Sequence, residues 1–338
     1  MTNQLTTRIG WVDTAKGIGL LCVILGHLSI PLVDTVVYFF HMPLFFFLSG
    51  FVFSGGKYDF STFLKKKARS LVIPYFTLGG GIFLFHCLVY VLEGRPAGDY
   101  LEMGGNFLVQ EHFWTVWFLA CLFLTELIYY GIHRFLGSRS LLSTSVSTAV
   151  CAFGILRYRL GWGSLPWNLD VALVAQFFFH MGFRSRRLAP KLEGFDRLAP
   201  AAKLLVSGGL MAMCSGLGFV CIRVSGASMD MSVGWYGNVL IIFPAAFCGI
   251  LGVILFSRMI RWQWLQWLGR NTMLIFGWHS RIVIVACGML YETLGIFQGK
   301  GLAAVLGSAG CTFVIIFALL VPATLLVKRS RAHTLFGL

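Results

Sequence analysis

Four polar residues interrupt the apolar runs at the start of the chain: Asp13, Lys16, His27 and His41. A neutral imidazole can take a proton from a hydroxyl near physiological pH, and serine or sugar hydroxyls are weak nucleophiles until something does so. These residue types therefore suit hydroxyl activation for acyl transfer. Eleven residues advance an α-helix by three turns and a small remainder, so Lys16 and His27 share a face about 16 Å apart. Asp13, three residues before Lys16, stands where an ion pair can form. His41 is as far from a hairpin centre near Asp34 as His27 is on the other side. Both imidazoles are predicted at similar depth, in the outer half of a membrane, lining one cavity.

Blander readings exist for each residue alone: a lysine that snorkels to an interface, or a histidine that only hydrogen-bonds a neighbouring helix. A charge at the centre of a membrane helix costs roughly 2.5–3.5 kcal/mol, and two histidines at matched depth beside a charged pair favour a function.

The elements that must hold these groups follow from composition. Of 338 residues, 57% are hydrophobic, 15% aromatic and 12% charged, with mean hydropathy +0.80. Ordinary soluble domains carry about 25% charged residues. An all-α, polytopic integral membrane protein is expected. A span needs about 20 mostly apolar residues. Ten such spans are predicted, near 11–31, 36–54, 71–92, 112–132, 141–157, 167–183, 201–222, 236–257, 270–290 and 302–327, forming one transmembrane domain over 1–338.

Lysine and arginine fall unevenly on alternate loops. One set holds twenty, at Arg8 and within 57–69, 134–139, 184–203, 258–270 and 328–331; the other holds five, Arg95, Arg157, Arg159, Arg223 and Lys300. The positive-inside rule then makes both termini cytoplasmic and the span count even, in the inner (plasma) membrane. Segment 93–111, with Glu93, Asp99, Glu102 and Glu111 against Arg95, reads as an outer loop. The net charge of +14 is dispersed among loops without an aromatic-interleaved groove, which argues for membrane lipids and against nucleic acid as partners. Nine cysteines without a CxxC, and no Cys/His cluster at ligand spacing, indicate no disulfide framework and no metal. The first apolar run, which carries Asp13 and Lys16 and leads into a second, reads as a permanent helix and not as a cleaved leader.

WVDTAKGIGLLCVILGH (11–27) followed by YFFHMPLFFFLSGFVF (38–53) resembles the opening of the family-3 membrane acyltransferases, which include bacterial polysaccharide and fucose O-acetyltransferases. The family usually has arginine where this chain has Lys16; lysine resembles the fucose 4-O-acetylase-like branch. The likeness continues in KKKARSLVIPYF (65–76), similar to a basic RxxR-type segment with Lys66 and Arg69 in the basic positions. VWFLACLF (116–123), WNLDVALVAQFFFHMGF (167–183) and GRNTMLIFGWHS (269–280) resemble later motifs of the family in the same order.

The resemblance implies acetyl-coenzyme A as the cytoplasmic acyl donor and a glycan or lipid-linked sugar as the acceptor. Lys65, Lys66, Lys67 and Arg69 would bind the donor phosphates on the cytoplasmic side. Charge alone would leave them as topology or lipid signals. Lys16 would contact the phosphates or the pantetheine arm, with Asp13 positioning it. His27 would act as general base, His41 would orient or share the proton, and His279 is a secondary candidate. Glu126 and Asp170 have no assigned role, and Arg281 points away from His279. Some family members carry a fused extracytoplasmic esterase-like domain; here direct action or a separate extracytoplasmic transferase partner is expected. His86, His112, His133 and His180 sit towards predicted span ends, where a wet imidazole needs no catalysis. The alternative from another class is a proton-coupled transporter or flippase of an envelope metabolite, because intramembrane ionisable groups also build proton relays.

Overall fold

The computed structural model describes residues 9–110, 114–137, 139–226, 228–299 and 301–338. Arg8, Glu111, His112 and Lys300, which entered the charge and histidine readings, lie outside the described residues, as does the side chain of Lys191.

The described residues form helices joined by short turns, with Asp230 and Trp235 making an isolated antiparallel bridge. In order these are α1 (Gly10–Gly26), α2 (Val33–Tyr38), α3 (His41–Phe51), α4 (Phe60–Lys67), α5 (Ile73–Glu93) and α6 (Ala97–Val109). Then follow α7 (Trp117–Leu136), α8 (Ser140–Arg159), α9 (Leu169–Ser185), α10 (Glu193–Asp196), α11 (Pro200–Ser225) and α12 (Val239–Met259). The chain ends in α13 (Gln263–Arg270), α14 (Thr272–Trp278), α15 (Val285–Leu294) and α16 (Leu302–Arg329). With no solvent in the hydrocarbon core, each spanning backbone must satisfy its own hydrogen bonds, and helices do so.

Among the described residues, eight segments are long and apolar enough to cross a membrane: Val33–Lys57, Phe60–Glu93, Trp117–Leu136, Ser140–Arg159, Pro200–Ser225, Val239–Met259, Thr272–Leu294 and Leu302–Arg329. At the places of the first and sixth predicted spans stand α1 and α9, each of 17 residues. At 1.5 Å per residue these reach about 26 Å, short of a core about 30 Å thick. The count by length is therefore eight where the sequence reading expects ten.

Several boundaries also move. The second expected span is broken at Phe39 and Phe40, so that His41 opens α3, with Pro43 tolerated in its first turn. The third is longer than expected because α4 and α5 join through a π-helical turn, Ala68–Val72, just before Pro74. A second π-turn, His279–Ile284, separates α14 from α15. The expected outer loop 93–111 contains α6.

Glycines set the closest approaches in the core. A Cβ on Gly50 would collide with the carbonyl oxygen of Phe179, and one on Gly182 with that of Phe47, so α3 and α9 touch backbone to backbone. Gly17 and Gly269 do the same for α1 and α13, against the carbonyls of Leu265 and Asp13. Small residues allow such contact where no hydrophobic effect drives helix association. Arg186 then ties α9 to the end of α3 by donating to the carbonyls of Gly50, Phe51 and Phe53. The core and rim differ accordingly: the most apolar window of Val33–Lys57 is 78% buried, against 22% for α11 and for α16.

Candidate functional site

His27 caps the C-terminus of α1, where the helix has turned and its side chain faces inward. Its Nδ1 lies 2.7 Å from the carbonyl oxygen of Val23. The same contact recurs at His41, 2.7 Å from the Val37 carbonyl, and at His279, 2.8 Å from the Phe276 carbonyl. A carbonyl can only accept, so each Nδ1 carries the proton and each neutral ring keeps its lone pair on Nε2. This tautomer suits a base. The Nε2 of His279 is fully buried and has no hydrogen-bond partner among the described residues.

The rings of His27 and His279 meet edge to face with centroids 5.0 Å apart. The second π-turn begins at His279; such bulges recur where a functional group must be re-aimed. His41 is not beside His27 in the same way. Tyr38 stands between them, its ring 4.9 Å from His41 and 6.4 Å from His27. The matched depth expected from the hairpin thus becomes a His–Tyr–His row, because α2 and α3 are separate helices with a break between them.

Lys16 lines a cleft with Ser49, Phe118, Thr272, Met273 and Phe276. The cleft holds about 600 Å³ of empty space, its open mouth included. Its far wall leads to the histidines: Phe276 lies 5.5 Å from Phe118 and 6.4 Å from His279 between centroids. Asp13, expected to position Lys16, stands 4.0 Å from Arg270 of α13, which crosses α1 at Gly269.

The basic segment divides. The Lys67 ammonium makes a 2.6 Å ion pair with Glu126, a carboxylate only 4% exposed. Lys16 also lies within electrostatic range of Glu126. Lys66 is exposed and lies 3.7 Å above the ring of Tyr58. Lys65 and Arg69 are exposed. Glu126 thus acquires a place as the inward counter-ion of this segment, and Asn271 is held by Lys328 at 2.9 Å. Asp170 accepts from the peptide N–H of Leu165, at 3.4 Å.

Residues without a role assigned from the sequence also lie near the histidines. Asp230 lies within electrostatic range of His27, Tyr38 and His41. Arg281 is in range of His27 and Tyr38, with its guanidinium 5.3 Å above the ring of Trp114. His86, read as a wet span-end residue, is buried against Trp114 at 4.2 Å and bonds the Arg281 carbonyl at 3.0 Å. His180 is likewise fully buried, 3.0 Å from Thr144, because α9 runs through the core. A signal for Arg281 was present in the sequence, since a cation midway along an apolar span requires an explanation. No signal tied Asp230 or Trp114 to the histidines, because both come from distant loops.

No group of three or more His, Cys, Asp or Glu residues suited to holding a metal ion occurs among the described residues. A family model described as an acyltransferase domain matches residues 9–327. No curated protein and no solved structure matches the chain.

Proposed function

Since the chain belongs to the family 3 acyltransferases, we propose that it is a membrane O-acetyltransferase. It takes acetyl groups from cytoplasmic acetyl-coenzyme A and delivers them to a hydroxyl of a cell-surface glycan or its lipid-linked precursor. The observation that carries this reading is the His27–His279 pair at the end of the Lys16 cleft, with Nδ1 of both rings committed to backbone carbonyls.

Each residue then has a task. Lys65, Lys66 and Arg69, exposed beside the cleft segment, bind phosphate groups by charge-assisted hydrogen bonds. Lys67, held by Glu126, contributes positive potential from its fixed position more than it contributes direct contact. Lys16 and Ser49 supply polar contacts along the otherwise apolar wall that receives the donor's arm. His27 removes the acceptor hydroxyl proton onto Nε2 as the oxygen attacks the thioester carbonyl. The tetrahedral adduct collapses by breaking the carbon–sulfur bond, and the His27 imidazolium returns its proton to the departing thiolate. The net change is hydroxyl plus acetyl thioester to acetyl ester plus free thiol, with no redox step. His279 packs edge-on against His27 and holds its ring in place, while His41 acts through Tyr38.

The test is transfer of radiolabelled acetyl groups to glycolipid in membranes expressing the wild type or His27→Ala. Loss of a general base is worth typically 10²–10⁴-fold, so the variant is expected to lose about that much transfer at equal expression. Full transfer by His27→Ala removes the proposed base. Wild-type membranes that move an envelope metabolite without consuming donor would support the transporter reading instead.

A further inference from the structure

Arg281 is the tenth residue of the 23-residue segment Thr272–Leu294, close to the middle of a span. A side chain there cannot reach an interface by snorkelling, and an arginine at that depth costs roughly 2.5–3.5 kcal/mol on insertion scales. Such a charge persists only with an anion or a wet cavity beside it. Its guanidinium is half-buried, and no carboxylate lies within 4.0 Å of it among the described residues. What touches it is the face of Trp114, at 5.3 Å, and that residue is itself held in the left-handed region at φ +46°. Non-glycine residues in that region concentrate at ligand-binding and active sites. His86 packs on the same indole and fixes the Arg281 backbone, so the guanidinium sits on a built platform.

The platform adjoins the proposed reaction centre. Arg281 shares the π-turn with His279, whose ring meets His27, and it is within electrostatic range of His27. Along this span Arg281 follows His279, whereas the cleft-lining Thr272, Met273 and Phe276 precede it. Asp230 lies near His27 and His41, and has its carboxylate engaged by Ser232 at 2.6 and 2.9 Å.

We infer that Arg281, stacked on Trp114, binds an anionic oxygen group, a phosphate or a carboxylate, carried by the acyl acceptor next to the hydroxyl that His27 activates. The planar guanidinium matches either group through two parallel hydrogen bonds. The placement of the anion beside a reacting hydroxyl rests on the acyl-transfer reading; the anion site itself does not. The two sources are a phosphate on a lipid carrier and an acid group on the sugar.

The experiment measures binding to protein purified in neutral detergent, with polyisoprenyl monophosphate, glucuronic acid and the uncharged octyl glucoside as probes. Wild type, Arg281→Gln and Arg281→Lys are compared. At least one anionic probe is expected to bind the wild type and to weaken about 10- to 100-fold in Arg281→Gln. Arg281→Lys should recover part of that loss, since it keeps charge and loses the fork. Octyl glucoside binding should be the same in all three, and thermal unfolding without probe should differ little, which separates a lost contact from a lost fold. Preference for polyisoprenyl phosphate assigns the anion to a lipid carrier, and preference for glucuronic acid to the sugar.

Equal binding of the anionic probes to wild type and Arg281→Gln overturns the proposal, as does a parallel loss of the neutral probe. A change confined to the choice of acyl donor overturns it too. Charge-dependent binding without acetyl transfer by the wild type would sink the acyltransferase reading and leave this site standing. Transfer without any preference for charged acceptors would do the reverse.

Discussion

Three cations of the helix bundle have carboxylate partners. Lys67 meets Glu126 at 2.6 Å, Arg270 stands 4.0 Å from Asp13, and Arg258 forks onto Asp196. Beyond the histidines, Arg281 has an indole face and no carboxylate within 4.0 Å among the described residues. These pairs lock helices together: α1 to α13, α12 to α10, and the basic segment to α7. Arg281 makes no such pair among the described residues. Paired cations such as Lys67 and Arg258 therefore serve architecture, whereas Arg281 has only an aromatic face beside it among the described residues.

That contrast can be broken by substitution. The largest expected effect on folding comes from Gly269→Val, which drives a branched side chain into the Asp13 carbonyl and separates α13 from α1. Overpacking against backbone that cannot give way costs about 3 kcal/mol or more, so little folded protein should be recovered in detergent by size-exclusion chromatography. Recovery at wild-type yield would mean that the inner contacts are looser than their geometry.

Lys67→Met should come next, because it leaves the buried Glu126 carboxylate without its partner. A loss of about 1–3 kcal/mol in unfolding free energy is expected. The double variant Lys67→Met/Glu126→Gln should recover much of it, since replacing both members of a buried pair is often near neutral. Arg281→Gln, measured in the same way, should cost less, about 1 kcal/mol at most, because it orphans no carboxylate among the described residues and loses only the contact with the Trp114 ring. An equal loss in both variants would erase the distinction between Lys67 and Arg281.

The smallest effect belongs to Asp196→Asn at the exposed edge. The fork from Arg258 holds the Asp196 carboxyl below the usual carboxylate range. A carboxyl whose folded value is lowered stabilises the fold above its unfolded value, about 3.9, and loses that contribution as pH falls through the lower folded value. Surface pairs contribute about 0–1 kcal/mol. Asp196→Asn should therefore lower the thermal midpoint slightly at neutral pH, and the difference from wild type should begin to shrink near pH 3.9, about the unfolded value, and vanish only below the lowered folded value. A difference that grew in acid would contradict the pairing.

Much of this was legible in one dimension. Composition alone requires an apolar environment, and the helical spacing of Lys16 and His27 puts a cation and an imidazole on one stripe without any knowledge of the fold. Local signals were weaker wherever the helix departs from regularity. The break before His41 and the π-turn at His279 both shift side chains relative to an ideal repeat, and neither leaves a mark in hydropathy. Length was also misleading: α1 and α9 fall short of a full span because they are enclosed by other helices, which relieves them of the need to match the hydrocarbon thickness.

Residue identity and spacing within one element set the class of the molecule, its helical repeat and the titratable groups that its spans carry. Which of those groups meet was settled by packing between elements. His27 faces His279 across 252 positions of sequence, Glu126 claims Lys67, Trp114 takes Arg281, and Tyr38 separates the two imidazoles of the first hairpin. Those partnerships depend on where glycines let backbones touch and where helices break, and such contacts between distant segments carry no periodic signal along the chain.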